Sequence, residues 1–190
     1  GANRVRRVGV NGEITTVAGA GQSAFNGDGL AATATTLHAP YDVAIEVDGS
    51  LLIADTLHHR VRRVRADGIV ETVAGNGSFP YSGDGLPGAQ TALPFPWRLE
   101  IDSAGRLFIA SGGWGWYGEL RLVTLRADAT LATVAGGVEE SMIGGDIVGL
   151  PAAAVDLSNL EDVAVAPDGG LMLTFNADAR VFGVRQALPG

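Results

Sequence analysis

Cysteine and lysine are both absent from the 190 residues. Without cysteine the chain has no disulfide framework, no thiolate zinc site and no thiol nucleophile. All 13 basic residues are arginine, and the formal net charge of −8 disfavours non-specific nucleic-acid binding, which depends on cations neutralising phosphates. No apolar run approaches the roughly 20 residues needed to span a bilayer. The first residues, GANRVRR, lead directly into a strand pattern without an apolar signal core. What is present is 46% hydrophobic residues, 28 glycines and 8 prolines. That composition excludes a disordered chain, leaves little room for helices, and fits many short strands joined by turns.

The organising feature is a repeat. The stretch from Ile53 to Gly77 holds an alternating run, Arg60 to Val64, then an Asp-Gly turn, then a second run ending in Thr-Val-Ala-Gly. This is the pattern of a β-hairpin. The TVAG tetrapeptide stands at Thr16–Gly19, Thr72–Gly75 and Thr133–Gly136, with spacings of 56 and 61 residues. Upstream of the second hairpin, Tyr41, Val43 and Ile45 alternate with Asp42, Ala44 and Glu46, the period of a strand with unlike faces. Trp97 to Ser111 repeats this segment, and the glycine-rich connection around Asn26–Leu30 returns at Ser82–Leu86. An Ala/Thr stretch after the first of these connections predicts one short helical turn.

Counted along the chain, the strands group as two, four, four and three. Four-stranded antiparallel units repeated around an axis are blades of a β-propeller, and a little over three are predicted here. The expected fold is all-β, a partial propeller within a single unit spanning residues 1–190. The chain begins and ends mid-unit, so it reads as an excerpt of a longer propeller. Open blade edges would provide for self-association.

PYDVAIEVDGSLLIADTLHHRVRRV (Pro40 to Val64), the recurring TVAG and the GDG connections at Gly27–Gly29 and Gly83–Gly85 resemble the NHL-repeat propellers. The likeness is to the bacterial branch with long glycine-rich connections between blades. It implies a propeller whose members include protein-binding, RNA-binding and enzymatic proteins, and an extracellular or cell-envelope setting. It also implies that Asp55, His59 and Arg60 form a structural motif, in which a charge-assisted hydrogen bond fixes the turn between neighbouring strands. The third and fourth repeats depart from it, with Ser111 and Thr174 near the aspartate position and no histidine.

Four groups of residues compete as functional candidates. Asp55 beside His58 and His59 has the look of a general base, but His38, His58 and His59 all fall in one repeat, so no catalytic set can be drawn from successive blades. Asp28, Asp84 and Asp146 recur in equivalent connections, yet each stands with few acidic neighbours where a hard cation needs six to eight oxygens; no metal and no cofactor is expected. Arg4, Arg6, Arg7, Arg60, Arg62, Arg63 and Arg65 form the basic feature, which strand alternation divides between two faces and which lacks interleaved aromatics for base stacking. The last group is aromatic. The link between second and third strands leaves the sheet at the same end as the connection to the next blade, so Trp114, Trp116 and Tyr117 should share a face with Phe79, Tyr81 and Phe25. Large aromatics on glycine-rich loops favour recognition.

The leading expectation is a non-enzymatic recognition scaffold that binds a protein or glycan partner through this loop face. Two alternatives stand beside it. One is a segment of a propeller enzyme, lyase or lactonase-like, with its catalytic residues outside this chain; the other is an RNA-binding propeller.

Overall fold

The computed structural model describes residues 2–112, 119–137, 151–157, 160–175 and the backbone of 181–184. Its strands form four antiparallel sheets. The first pairs β1 (Val5–Val8) with β2 (Ile14–Ala18). The second is the meander β3 (Pro40–Ile45), β4 (Leu51–Asp55), β5 (Arg60–Val64) and β6 (Val70–Ala74). The third repeats it with β7 (Pro96–Ile101), β8 (Leu107–Ser111), β9 (Arg121–Leu125) and β10 (Leu131–Gly136). The fourth contains β11 (Leu160–Val165), β12 (Leu171–Phe175) and β13 (Val181–Val184). This is the two, four, four, three grouping of the repeats: an all-β arrangement of propeller blades.

Local chemistry sets the strand ends. In the hairpin turns an aspartate accepts from the amide two residues on, as Asp48 does from Ser50 and Asp67 from Ile69, and a glycine follows at positive φ. Each hairpin is thereby closed at a fixed register. The Ala/Thr stretch makes only one hydrogen-bonded turn, with Ala34 and Thr35 donating to the carbonyl of Ala31. At the equivalent place of the next connection, Gly88–Gln90 closes into a short 3-10 turn.

The core lies between successive sheets. Leu52 and Ala54 of β4 share a cluster with Leu99 of β7, Ile109 of β8 and Val123 of β9. One blade further on, Phe108 and Ala110 share a cluster with Val163, Leu171 and Leu173. Burying each such aliphatic side chain is worth about 1.5–3 kcal/mol, so the sheets are held by their faces as much as by strand pairing. The first strands β3, β7 and β11 lie side by side, and each has its register shift at the same position, after Pro40, Pro96 and Leu160.

The apolar face of β3 differs from that of its repeat. Leu99 is 3% exposed, whereas its equivalent Val43 is 43% exposed and Ile45 is 71% exposed. The reason is cover. Leu99 lies against the two inner strands of the preceding blade, and among the described residues the sheet before β3 contains only β1 and β2.

Candidate functional site: the loop face at the blade junctions

The link between β4 and β5 is a short 3-10 turn, Thr56–His58, that ends with His59 in the left-handed region at φ 53°. This geometry brings Asp55, His58, His59 and Arg60 to the end of the sheet from which the inter-blade connections emerge. The contacts show the shared face directly: Phe25 of one connection lies 5.4 Å from His58, and Phe79 of the next lies 5.4 Å from His59.

The polar centre of the face is Asp55, which is fully buried. One carboxylate oxygen accepts from the backbone amide of His38 at 2.7 Å; the other accepts from His58 Nδ1 at 2.8 Å and lies 3.5 Å from Arg62 Nη1. The imidazole on Asp55 is thus that of His58, whereas the sequence pattern pointed to His59. The single αL residue explains the exchange, because it turns the His59 ring away from β4 and toward Phe95, whose amide donates to His59 Nδ1 at 3.1 Å. His58 Nε2 lies 2.7 Å from the carbonyl oxygen of Ser23. Both ring nitrogens of His58 are therefore engaged by groups within the fold.

Arg60 and Arg62 hold the connection against this centre. Arg60 donates to the carbonyls of His58 and Asn76 and stacks 3.9 Å over the Phe25 ring. Burial and the nearby Arg62 both favour its neutral form, which lowers its pKa. Arg62 is buried, donates to Asp28 and to the Gly27 carbonyl at 2.8 Å, and lies 5.0 Å from Phe25. Its Nε makes no hydrogen bond among the described residues. The arginine cluster is divided as strand alternation predicts: Arg63 pairs with Glu46 and Glu71, and Arg65 with Asp67. Those pairs line a cavity of about 540 Å³ at the hairpin-turn end, which also contains Asp48 and Ser50.

Comparison of equivalent positions shows that most of this face is a repeated fastening. Asp28 accepts from the amide and hydroxyl of Thr72, and Asp84 does the same with Thr133. The GDG aspartate of each connection therefore binds the TVAG threonine of the blade that follows. Arg121 lies 5.2 Å over Tyr81 as Arg60 lies over Phe25, and it donates to the Gly137 carbonyl as Arg60 does to that of Asn76. Although burial opposes it, hydrogen bonds from Thr133 and from the Tyr81 hydroxyl hold the Asp84 carboxyl below its ordinary range. Burial, with Asp84 beside it, pushes the Tyr81 phenol well up.

Three charged residues at one repeat position of the inner strands meet in sequence: Arg98 lies 3.7 Å from Asp42 and 2.7 Å from Asp162. Asp42 also accepts from the Leu99 amide at 2.8 Å, tying adjacent blades together. Burial raises the Glu100 carboxyl, and Asp162 and Asp42 add to that while Arg98 opposes it.

Of the predicted binding aromatics, Phe25 is 41% exposed, Phe79 is 49% exposed and Tyr81 is half-buried against Arg121. Trp114, Trp116, Tyr117 and Asp146 lie outside the described residues. Sequence reasoning passed over Arg62 as a buried anchor and missed the Asp42, Arg98 and Asp162 series. The first carried a signal, since Arg62 is three residues beyond His59 on the same strand as the marked arginines. The second carried none until the inner strands were aligned by register.

No protein-family model matches the sequence, and no curated protein matches it. Solved structures do. A protein of unknown function from Bacteroides thetaiotaomicron superimposes with a TM-score of 0.67 at 20% identity, covering 95% of this chain and 41% of that one. A gluconolactonase-like protein gives 0.61 at 15% identity over 99% of this chain and 53% of its own. A catalytically inactive virginiamycin B lyase from Staphylococcus aureus, solved with quinupristin, gives 0.51 at 12% identity over 99% and 50%. These likenesses establish the propeller-like fold. The chain spans about half the length of these neighbours.

Proposed function

We propose that the chain is a segment of a single NHL-type propeller acting as a non-enzymatic recognition scaffold, with a protein or glycan ligand held on the loop face. One observation carries the reading: half-exposed phenylalanines, Phe25 and Phe79, stand at the junction end of the sheets on loops pinned by repeated hydrogen bonds. Rigid aromatic surface gives contact area at small entropic cost. The acid–base groups on the same face are engaged within the fold. Both ring nitrogens of His58 have partners within the fold, and Asp55 is buried beneath it. Among the described residues the Phe79 ring lies 5.4 Å from that of His59 and outside the repeated aspartate–threonine and arginine–aromatic fastenings, so Phe79→Ala tests the face while leaving those fastenings in place. A glycan array and a protein microarray, read with the chain and with Phe79→Ala and Trp114→Ala, should show loss of at least about tenfold in affinity for whichever ligand binds. Ligand binding unchanged in both variants would remove the assignment of this face.

A second reading is favoured by the gluconolactonase-like and lyase neighbours: a segment of a propeller enzyme, lyase or lactonase-like, whose catalytic residues lie outside this chain. Lactone hydrolysis or lyase activity, accompanied by stoichiometric Ca²⁺ or Zn²⁺ in elemental analysis, would favour this reading over the first.

A further inference from the structure

We propose that His59 is a pH-sensitive latch at the blade junction, closed when its ring is neutral and opened by protonation. One pair of residues repeats at successive junctions. In the first junction the side-chain oxygen of Asn3 accepts from the Ala39 amide at 3.1 Å; in the second, Nδ1 of His59 accepts from the Phe95 amide at 3.1 Å. Both pairs are displaced by the same 56 residues, and all four residues lie in the left-handed region, at φ 46°, 49°, 53° and 44°. The two latches are thus one device with two different acceptors.

The difference between the acceptors is chemical. An amide oxygen accepts at every pH, whereas imidazole Nδ1 accepts only while it carries no proton. Protonation of His59 leaves two N–H groups pointing at each other and breaks the bond that joins the link of one blade to the lead-in of the next. Around the ring, Phe95 lies at 4.4 Å and Phe79 at 5.4 Å. The charged and titratable groups acting on it are Arg60, His58 and His38, and every one of them opposes a further positive charge. Burial is the largest influence, and together these hold the His59 pKa below its ordinary 6.5.

The fold favours the neutral ring, so the unfolded chain binds the proton more readily. The latch's contribution is complete above the unfolded value near 6.5 and is lost as pH falls from there through the lower folded value. The consequence is a junction that loosens in mild acid between two blades whose faces are otherwise packed.

His59→Asn provides the test, because Asn3 shows that asparagine serves this latch. Thermal unfolding of the chain and the variant would be followed from about pH 8 to about pH 5. Near pH 8 the two midpoints should agree; on acidification the parent should lose about 2–4 °C more than His59→Asn. Identical acid slopes would overturn the proposal. Amide hydrogen exchange at Phe95, corrected for intrinsic rate, gives a local readout. Its protection should fall about five- to tenfold between neutral and acid pH in the parent and hold in the variant. Protection that stays constant in the parent, or falls equally in both, would overturn it as well.

Discussion

The two complete blades solve the same junction with opposite hydrogen-bond polarity. In the first, position 38 is histidine, whose backbone amide donates to Asp55. In the second, the equivalent position is Pro94, which has no N–H, and the residue at the aspartate position is Ser111, whose hydroxyl donates to the Pro94 carbonyl. An acceptor side chain faces a donor amide in one case, and a donor side chain faces a bare carbonyl in the other. The absence of an Asp-His constellation from the second blade is therefore no loss of a site. It follows from a proline, and the lesson is that the constellation is a fastening whose chemistry is set by the backbone it must satisfy.

The comparison can be broken at its most charged point. Asp55→Ala should be the costliest change, about 3–5 kcal/mol in denaturant unfolding, because it leaves the buried His58 without its carboxylate and the buried Arg62 guanidinium with only the half-exposed Asp28. Ser111→Ala, at the same place in the second blade, removes one neutral hydrogen bond and should cost only about 1 kcal/mol by the same measurement. Equal costs would mean that Asp55 is not the anchor its burial implies. Between these lies Gly75→Ala. Gly75 sits at φ 86°, and a Cβ there would come 2.1 Å from the His59 carbonyl oxygen, so about 1–3 kcal/mol should be lost. The smallest change is a gain. The β5–β6 turn has Gly68 at positive φ, but the matching β9–β10 turn of the second complete blade places Ala129 at φ 61°. Ala129→Gly should relieve that strain and raise stability by about 0.5–1 kcal/mol, read as a shift in the urea midpoint at unchanged slope.

The aromatic residues show where sequence reasoning reached its limit. Phe25, Tyr81 and Phe79 were legible as loop aromatics on one face, because antiparallel topology fixes which loops share an end. Their different roles were not legible. Phe25 and Tyr81 are equivalent positions, and each lies under the arginine that opens the third strand of the following blade, Arg60 or Arg121. Those partners are far apart in sequence, and the segment Gly112–Gly118 changes their spacing from 35 residues (Phe25 to Arg60) to 40 (Tyr81 to Arg121). Of these three, Phe79 lies outside the arginine–aromatic pairing among the described residues, which is why it is the residue to mutate in a binding experiment.

His59 makes the same point from another direction. Its place beside Arg60 marks it in the sequence as part of a structural motif; in the fold its Nδ1 accepts from the Phe95 amide. But pattern matching pairs it with Asp55, and the backbone decides otherwise by entering the left-handed region at that residue. A single dihedral exchanges the neighbours of two adjacent histidines: His58 goes to the carboxylate and His59 to the Phe95 amide.

By itself the sequence determined the blade. Period-two alternation, Asp-Gly turns and the recurring TVAG and GDG segments fix the number, order and pairing of strands, because these are local or nearest-neighbour properties of the chain. The tertiary structure alone decided which side chains meet across blades. It showed that the GDG aspartate binds the next TVAG threonine, that Arg98 lies between Asp42 and Asp162, and that Asn3 and His59 accept equivalent amides at successive junctions. Those contacts join residues brought together only when sheets stack. Their distances are set by face-to-face packing, which no spacing along the chain encodes.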